Sequence, residues 1–165
     1  MTLARWLRHL SATRAGTRRR FSDAVDDAIE EAIRVAEART SAEIRFVIET
    51  ALEMADLAGG KTARVRALDV FAALRVWDTE LRNGVLIYVL MADRTVEVVA
   101  DRGAAAVIAP ADWEVASRIM ENHFHARRFR EGALAGVAAI GDLLARHYPA
   151  RAGDRDELSN QPTLL

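Results

Sequence analysis

The stretch "RNGVLIYVLMADRTVEVVADRG", residues 82–103, decides the fold. Its run from Val85 to Met91 has no polar alternation, so both faces of the segment must be buried. That suits a central strand covered by helices on both sides. Ala92-Asp93-Arg94 is a tight break, and "TVEVVA", 95–100, reads as a second strand. A connection this short makes the two strands pair antiparallel. Upstream, "AEIRFVIE", 42–49, is a strand with Ile44, Phe46 and Ile48 on one face. Residues 62–77 repeat at helical period between it and the central strand, with Val65, Leu68 and Ala72 on one line and Val70, Leu74 and Trp77 on another. Strand, helix and strand form a βαβ unit, so 42–48 and 85–91 should be parallel neighbours. The expected class is α/β: a small mixed sheet, a βαβ unit plus an antiparallel hairpin, between four main helices.

Outward from this centre, Ser22 is placed to cap a helix in which Val25, Ile29, Ala32, Ile33 and Ala36 fall at helical spacing. Pro110 opens another helix that turns Trp113, Ala116 and Met120 inward. Gly132–His147 is a last helix, whose Gly136 and Gly141 point to close packing on the sheet. Residues 151–165 are polar, lack periodicity and read as a disordered tail. Residues 1–20 carry six arginines and no acid. The segment 1–21 is read as a solvated basic arm, dispensable for folding, although Leu3, Trp6, Leu7 and Leu10 also fit one side of a short amphipathic helix. Arg5, Arg8, Arg14, Arg18, Arg19 and Arg20 would then offer peripheral contact to an anionic membrane surface. One domain, 22–150, lies between arm and tail.

Composition removes several classes of function. No cysteine is present among the 165 residues, so disulfides, thiolate nucleophiles and zinc–thiolate sites are excluded. The formal charge of −1 leaves no global basic field of the kind nucleic-acid binders use. The longest apolar run, Val85–Ala92, is too short to cross a bilayer, and no signal-peptide core follows the N-terminal arginines. A cytoplasmic protein is expected.

The topology gathers one set of polar residues. Glu43 starts the first strand, Asn83 precedes the second, and Asp101 follows the third, so all three emerge at one edge of the sheet. Asp78 and Thr79 lie in the approach to Asn83. Carboxylate, amide and hydroxyl oxygens are the hard ligands that Ca²⁺ or Mg²⁺ prefers. Gly84 and Gly103 would let backbone come close to a ligand. The same residues also suit plain turn punctuation, with Glu43 paired to an arginine.

Other motifs fall away. "GGKT", 59–62, resembles part of a phosphate-binding loop, but the first glycine of G-x-x-x-x-G-K-[ST] would be residue 55, which is alanine. His123 and His125 sit near a helix C-terminus, where a favourable dipole contact accounts for them. No G-x-S-x-G nucleophile elbow is present.

The segments "TSAEIRFVIE" (40–49), "RVRALDVFAALRVWDTELRNGVLIYVLMADRTVEVVADRG" (64–103) and "GALAGVAAIGDLLARHYP" (132–149), with Trp113, Phe124 and Phe129, resemble the TPM domain family, in particular its short bacterial members. The resemblance implies a Rossmann-like α/β/α sandwich. It implies either a Ca²⁺- or Mg²⁺-binding accessory domain beside a LemA-type membrane protein or a metal-assisted acid phosphatase. The family's glutamate falls on Glu43, its Asn-Gly on Asn83-Gly84, and its acid on Asp101. Ala42 and Ala100 stand where the family usually has glycine. In the phosphatase alternative, Arg82 or Arg102 would neutralise developing charge.

Overall fold

The computed structural model describes residues 2–153 and 156–165. In chain order the elements are α1 (Leu3–Ser11), α2 (Arg14–Arg20), α3 (Asp23–Glu37), β1 (Ile44–Glu49), α4 (Met54–Ala58), α5 (Ala63–Ala73), β2 (Val85–Leu90), β3 (Thr95–Ala100), α6 (Arg102–Val107), α7 (Pro110–His125), α8 (Phe129–His147) and β4 (Thr163–Leu164). The sheet order is β3-β2-β1-β4. β1 and β2 are parallel from Ile44↔Val85 to Glu49↔Leu90. β2 and β3 are antiparallel from Val85↔Ala100 to Leu90↔Thr95. This is the topology expected from the sequence.

The unbroken apolar run of β2 is buried at every position. Ile44, Phe46 and Ile48 of β1 share one core with Val85, Ile87 and Val89, under α3, α7 and α8. Val47, Leu86, Tyr88 and Leu90 face the opposite way, onto Ala63, Ala67 and Val70 of α5. Neither apolar line expected for α5 is the buried face as a whole: Ala63, Ala67 and Val70 turn inward, whereas Val65, Leu68 and Trp77 are exposed. Small residues against the flat sheet bring the helix axis close and leave the larger ones outside.

Gly136 and Gly141 of α8 serve helix–helix contacts rather than sheet contacts. A Cβ on Gly136 would lie 2.2 Å from Met120 Cγ on α7, and one on Gly141 would lie 2.7 Å from Ala36 Cβ on α3. Both helices therefore dock on α8 at contact distances that any larger residue would open.

Both chain ends depart from the sequence expectation. The basic arm is folded as α1 and α2 and docked on the end of the sheet where β2 turns into β3. Arg5 holds Asp93 through Nε at 3.0 Å and Nη2 at 2.8 Å. Arg8 donates to the Ala92 carbonyl. His9 is buried; Leu52 N–H donates to its Nδ1 at 3.1 Å, so the proton sits on Nε2 and is donated to Asp93 Oδ1 at 3.2 Å. Burial alone would raise the Asp93 carboxyl, but the hydrogen bonds from Arg5 and His9 outweigh it and hold the pKa below its usual value. Phe21 completes the anchor, edge-on to Phe124 and Phe129 in the core. The tail, expected to be disordered, instead returns to the sheet. Thr163 and Leu164 pair in parallel with Val47 and Ile48. Arg45 ties the tail down by donating to the carbonyls of Ser159 and Gln161 and to Thr163 Oγ1.

Candidate functional site

The edge where β1 and β2 begin and β3 ends is the one the sequence picks out. Val85 N–H donates to Glu43 O and Asp101 N–H donates to Gly84 O, both at 2.8 Å. Glu43, Gly84 and Asp101 are therefore neighbours across the sheet. Two strand spacings put the outer two about 10 Å apart at Cα. Between them a Cβ on Gly84 would lie 2.0 Å from the Val76 carbonyl oxygen. A Cβ on Gly103 would lie 2.5 Å from the Arg82 carbonyl oxygen. Both glycines do admit a close backbone approach, but the approaching backbone is the chain's own loop before β2. That loop fills the gap between Glu43 and Asp101.

Of the five expected ligands, two have other work and a third is turned to solvent. Asn83 is fully buried and donates from Nδ2 to Ser41 O at 2.7 Å. Its backbone N–H donates to Thr79 Oγ1 at 3.1 Å, and the Thr79 hydroxyl donates back to Asn83 Oδ1 at 3.3 Å. Thr79 and Asn83 thus latch the loop to the start of β1. Asp78 is exposed.

The two carboxylates differ: Asp101 keeps unspent capacity, and Glu43 is covered by the tail. Asp101 Oδ1 caps α6 by accepting from Arg102 N–H at 2.7 Å. Asp101 Oδ2 is buried with no hydrogen-bond partner among the described residues. Glu43 is buried, and its Oε2 accepts from the Leu158 N–H of the tail at 3.2 Å.

The sequence reading missed Glu37. It ends α3, is buried, and accepts from Ile44 N–H at 2.8 Å through Oε1, while Oε2 has no partner among the described residues. Ser41 Oγ is buried and unpartnered as well. The signal for Glu37 was present: Ile29, Ile33 and Glu37 follow at i, i+4 and i+8, which sets a carboxylate on the buried stripe of its helix. Burial pushes Glu37 up to about 8; the Ile44 hydrogen bond and, more weakly, the Asn160 side chain oppose the shift, and the nearby charges of Glu43 and Asp156 add to it. Burial likewise pushes Glu43 up to about 7, against the N–H groups of Glu157 and Leu158 and with Asp156 and Glu157 reinforcing it. Glu37, Glu43 and Asp156 share a groove of about 300 Å³ with Arg34 and Arg151.

Ca²⁺ requires six to eight oxygen ligands and Mg²⁺ six. The unpartnered oxygens of Glu37, Ser41 and Asp101 have the right hard chemistry. Among the described residues, however, no three His, Asp or Glu side chains converge on one point. The expected five-residue cage is therefore not assembled: its gap is filled by the loop, and Glu43 is covered by the tail.

The motifs set aside at the sequence level are also accounted for. Lys61 of "GGKT" is paired with Asp56 at 2.8 Å and Asp69 at 2.9 Å. His123 and His125 each bind a carbonyl one turn back through Nδ1, Ile119 O and Glu121 O respectively.

The mixed sheet between α5 on one face and α3, α7 and α8 on the other defines an open α/β/α sandwich domain. Residues 17–143 match the TPM domain, and the chain belongs to that family. Among solved structures it is similar to the NMR structure of the BA42 protein from the psychrophilic bacterium Bizionia argentinensis. The two are 33% identical over 87% of this chain and 94% of that one, with a TM-score of 0.77. No curated protein matches the chain. Among the described residues no helix is long and apolar enough to cross a membrane.

Proposed function

We propose that this TPM domain is an accessory binding module that takes a divalent cation at the polar edge that carries Glu37, Glu43 and Asp101, with water supplying the ligands that these side chains, which do not converge on one point, leave unfilled. The observation that carries the reading is the presence of buried, unpartnered oxygens on Glu37, Ser41 and Asp101 at one polar edge. A buried polar atom without a partner is costly, and an ion or its water shell would satisfy such atoms. In this reading residues 156–160 give way for the ion to reach Glu43, since the Leu158 amide already occupies Oε2. The accessory role beside a LemA-type membrane protein rests on the family resemblance. The arm's offered membrane contact is narrower than its arginine count suggests, because Arg5 and Arg18 are paired with Asp93 and Asp26. Among its arginines, Arg14, Arg18, Arg19 and Arg20 are exposed.

Calorimetric and amide-shift titrations with Ca²⁺ and Mg²⁺ test this reading. Millimolar or tighter binding should move the amides of 41–44, 101–103 and 156–160. Glu43→Gln should abolish it and Asp78→Asn should leave it intact. Saturation with no shift at these segments would defeat it. A phosphate-ester assay on the ion-loaded protein tests the metal-assisted phosphatase alternative, for which Arg82 and Arg102 lie exposed at the same edge.

A further inference from the structure

At the opposite end of the sheet, where the parallel strands β1 and β2 end, lies a cavity of about 470 Å³. That is within the size range of small-molecule sites. The ends of parallel strands are also where open α/β sheets hold their ligands. Four separate segments each bring an arginine to it: Arg8 from α1, Arg20 from α2, Arg94 from the β2–β3 turn and Arg127 from the α7–α8 turn. No carboxylate lines the cavity among the described residues. The side chains of Arg94 and Arg127 have no hydrogen-bond or ion-pair partner among the described residues, and Arg20 spends Nη1 on a neutral carbonyl, Gly16 O. The charge gathered here is therefore largely uncompensated, with only Arg8 sharing Asp93, at 3.5 Å.

A second observation concerns the backbone. Among the described residues four arginines adopt left-handed conformations; Arg75 and Arg82 lie away from the cavity, and Arg94 and Arg127, with φ of 57° and 60°, line it. Glycine or asparagine is the low-cost choice at such positions. Arginine is tolerated at both, and in both cases the side chain reaches the same cavity. Val89, Met91, Phe124 and Phe129 give one side of the wall an apolar surface, with the Arg20 guanidinium over the Phe129 ring at 5.6 Å, while Ser11, Thr13, Thr17 and His125 line the rest. Thr13 Oγ1 accepts from Gly16 N–H, which leaves its hydroxyl proton for a ligand.

We propose that this cavity binds a small phosphomonoester with an aromatic or apolar body. Guanidinium forks match phosphate oxygens in pairs, and a dianion answers several uncompensated arginines at once. The Met91 and Phe129 side would hold the body against apolar surface. The site is assembled only because the arm is docked, since α1 and α2 supply two of its four arginines.

The test is a titration of the full chain with phenyl phosphate, followed by backbone amide shifts. Shifts should gather at 91–94 and 124–129, and phenyl phosphate should bind more tightly than inorganic phosphate. The Arg94→Gln/Arg127→Gln pair should weaken phenyl phosphate about tenfold or more, and Arg94→Lys/Arg127→Lys by an intermediate factor, because charge is kept and the fork is lost. The charge-matched pair Arg118→Gln/Arg146→Gln, on exposed faces of α7 and α8, should bind as the unaltered chain does. Circular dichroism establishes that each variant is folded. No shift at millimolar phenyl phosphate would overturn the proposal, as would an equal loss in the Arg118/Arg146 pair. Vesicles of phosphatidylcholine and phosphatidylglycerol provide the other source of phosphate. Binding to them through Arg94 and Arg127, with no binding of soluble phenyl phosphate, would also overturn it.

Discussion

The two ends of the sheet are built by the same three strands and end in opposite states. At the end where β1 and β2 start, acidic and polar side chains gather and the chain closes over them. The loop carbonyl of Val76 presses on Gly84, the Thr79–Asn83 latch fastens that loop, and the Leu158 amide covers Glu43. At the end where β1 and β2 finish, Asp93 is neutralised by the arm, and the arm's own helices wall a basic cavity that stays open. Strand topology decides which residues reach an edge. Whether the edge can receive anything is decided by what the connecting loops and the termini lay across it.

The sharpest way to break this contrast is Gly84→Ala. The new methyl would fall 2.0 Å from a backbone oxygen that no rotamer change can move. A loss of about 3 kcal/mol or more in denaturant unfolding is expected, whereas Gly59→Ala, whose Cβ meets nothing nearer than 3.4 Å, should cost under about 1 kcal/mol. Equal effects would mean that the loop does not fill the polar edge.

Asp93→Ala tests the other end. It strips the half-buried partner from Arg5 and His9, and a loss of about 2–4 kcal/mol is expected. Limited proteolysis should then cut between residues 12 and 22. An unchanged midpoint with a protected arm would show that α1 is held by something other than Asp93.

The pH dependence comes from the closed end. Glu37 and Glu43 hold their protons to about 8 and about 7 in the folded chain, above the ordinary carboxylate value. The folded state therefore binds more protons than the unfolded one at intermediate pH. The stability this supplies is complete below about pH 4.5 and is lost as pH rises through about 7 to 8. Melting curves should show Glu37→Gln flattening that fall by on the order of 3 kcal/mol. Gln keeps the oxygen that accepts from Ile44 N–H and removes the group that ionises.

The smallest expected effect is on stability in Asp101→Asn. Asparagine caps a helix about as well as aspartate, so a change under about 0.5 kcal/mol is expected. In the same variant any Ca²⁺-induced shift at 101–103 should shrink, which separates the capping role of Oδ1 from the role proposed for Oδ2.

Much of this was legible in the sequence, and the exceptions share a physical cause. The apolar run 85–91 and the short turn after it required a buried central strand and an antiparallel neighbour, and local periodicity was enough to say so. The arm was not legible because its order comes from a few long-range contacts: Arg5 and His9 to Asp93, and Leu52 N–H to His9. Nothing within residues 1–20 announces a partner more than 80 residues away. The tail likewise joins the sheet through a two-residue strand and the reach of Arg45, far below any pattern length. At the polar edge the sequence placed Glu43, Asn83 and Asp101 correctly. Asn83 then proved to be turn and latch, the alternative its Asx-Gly context had offered. Glu37 went unread because a helical glutamate looks solvated unless its phase with Ile29 and Ile33 is followed.

The most direct test of the contrast is one amide-shift map of the full chain recorded with Ca²⁺ and then with phenyl phosphate. Shifts from Ca²⁺ at 41–44, 101–103 and 156–160, and from phenyl phosphate at 91–94 and 124–129, would place a cation and an anion at opposite ends of one sheet. Both ligands acting on the same end, or neither producing a localised shift at millimolar concentration, would contradict the account.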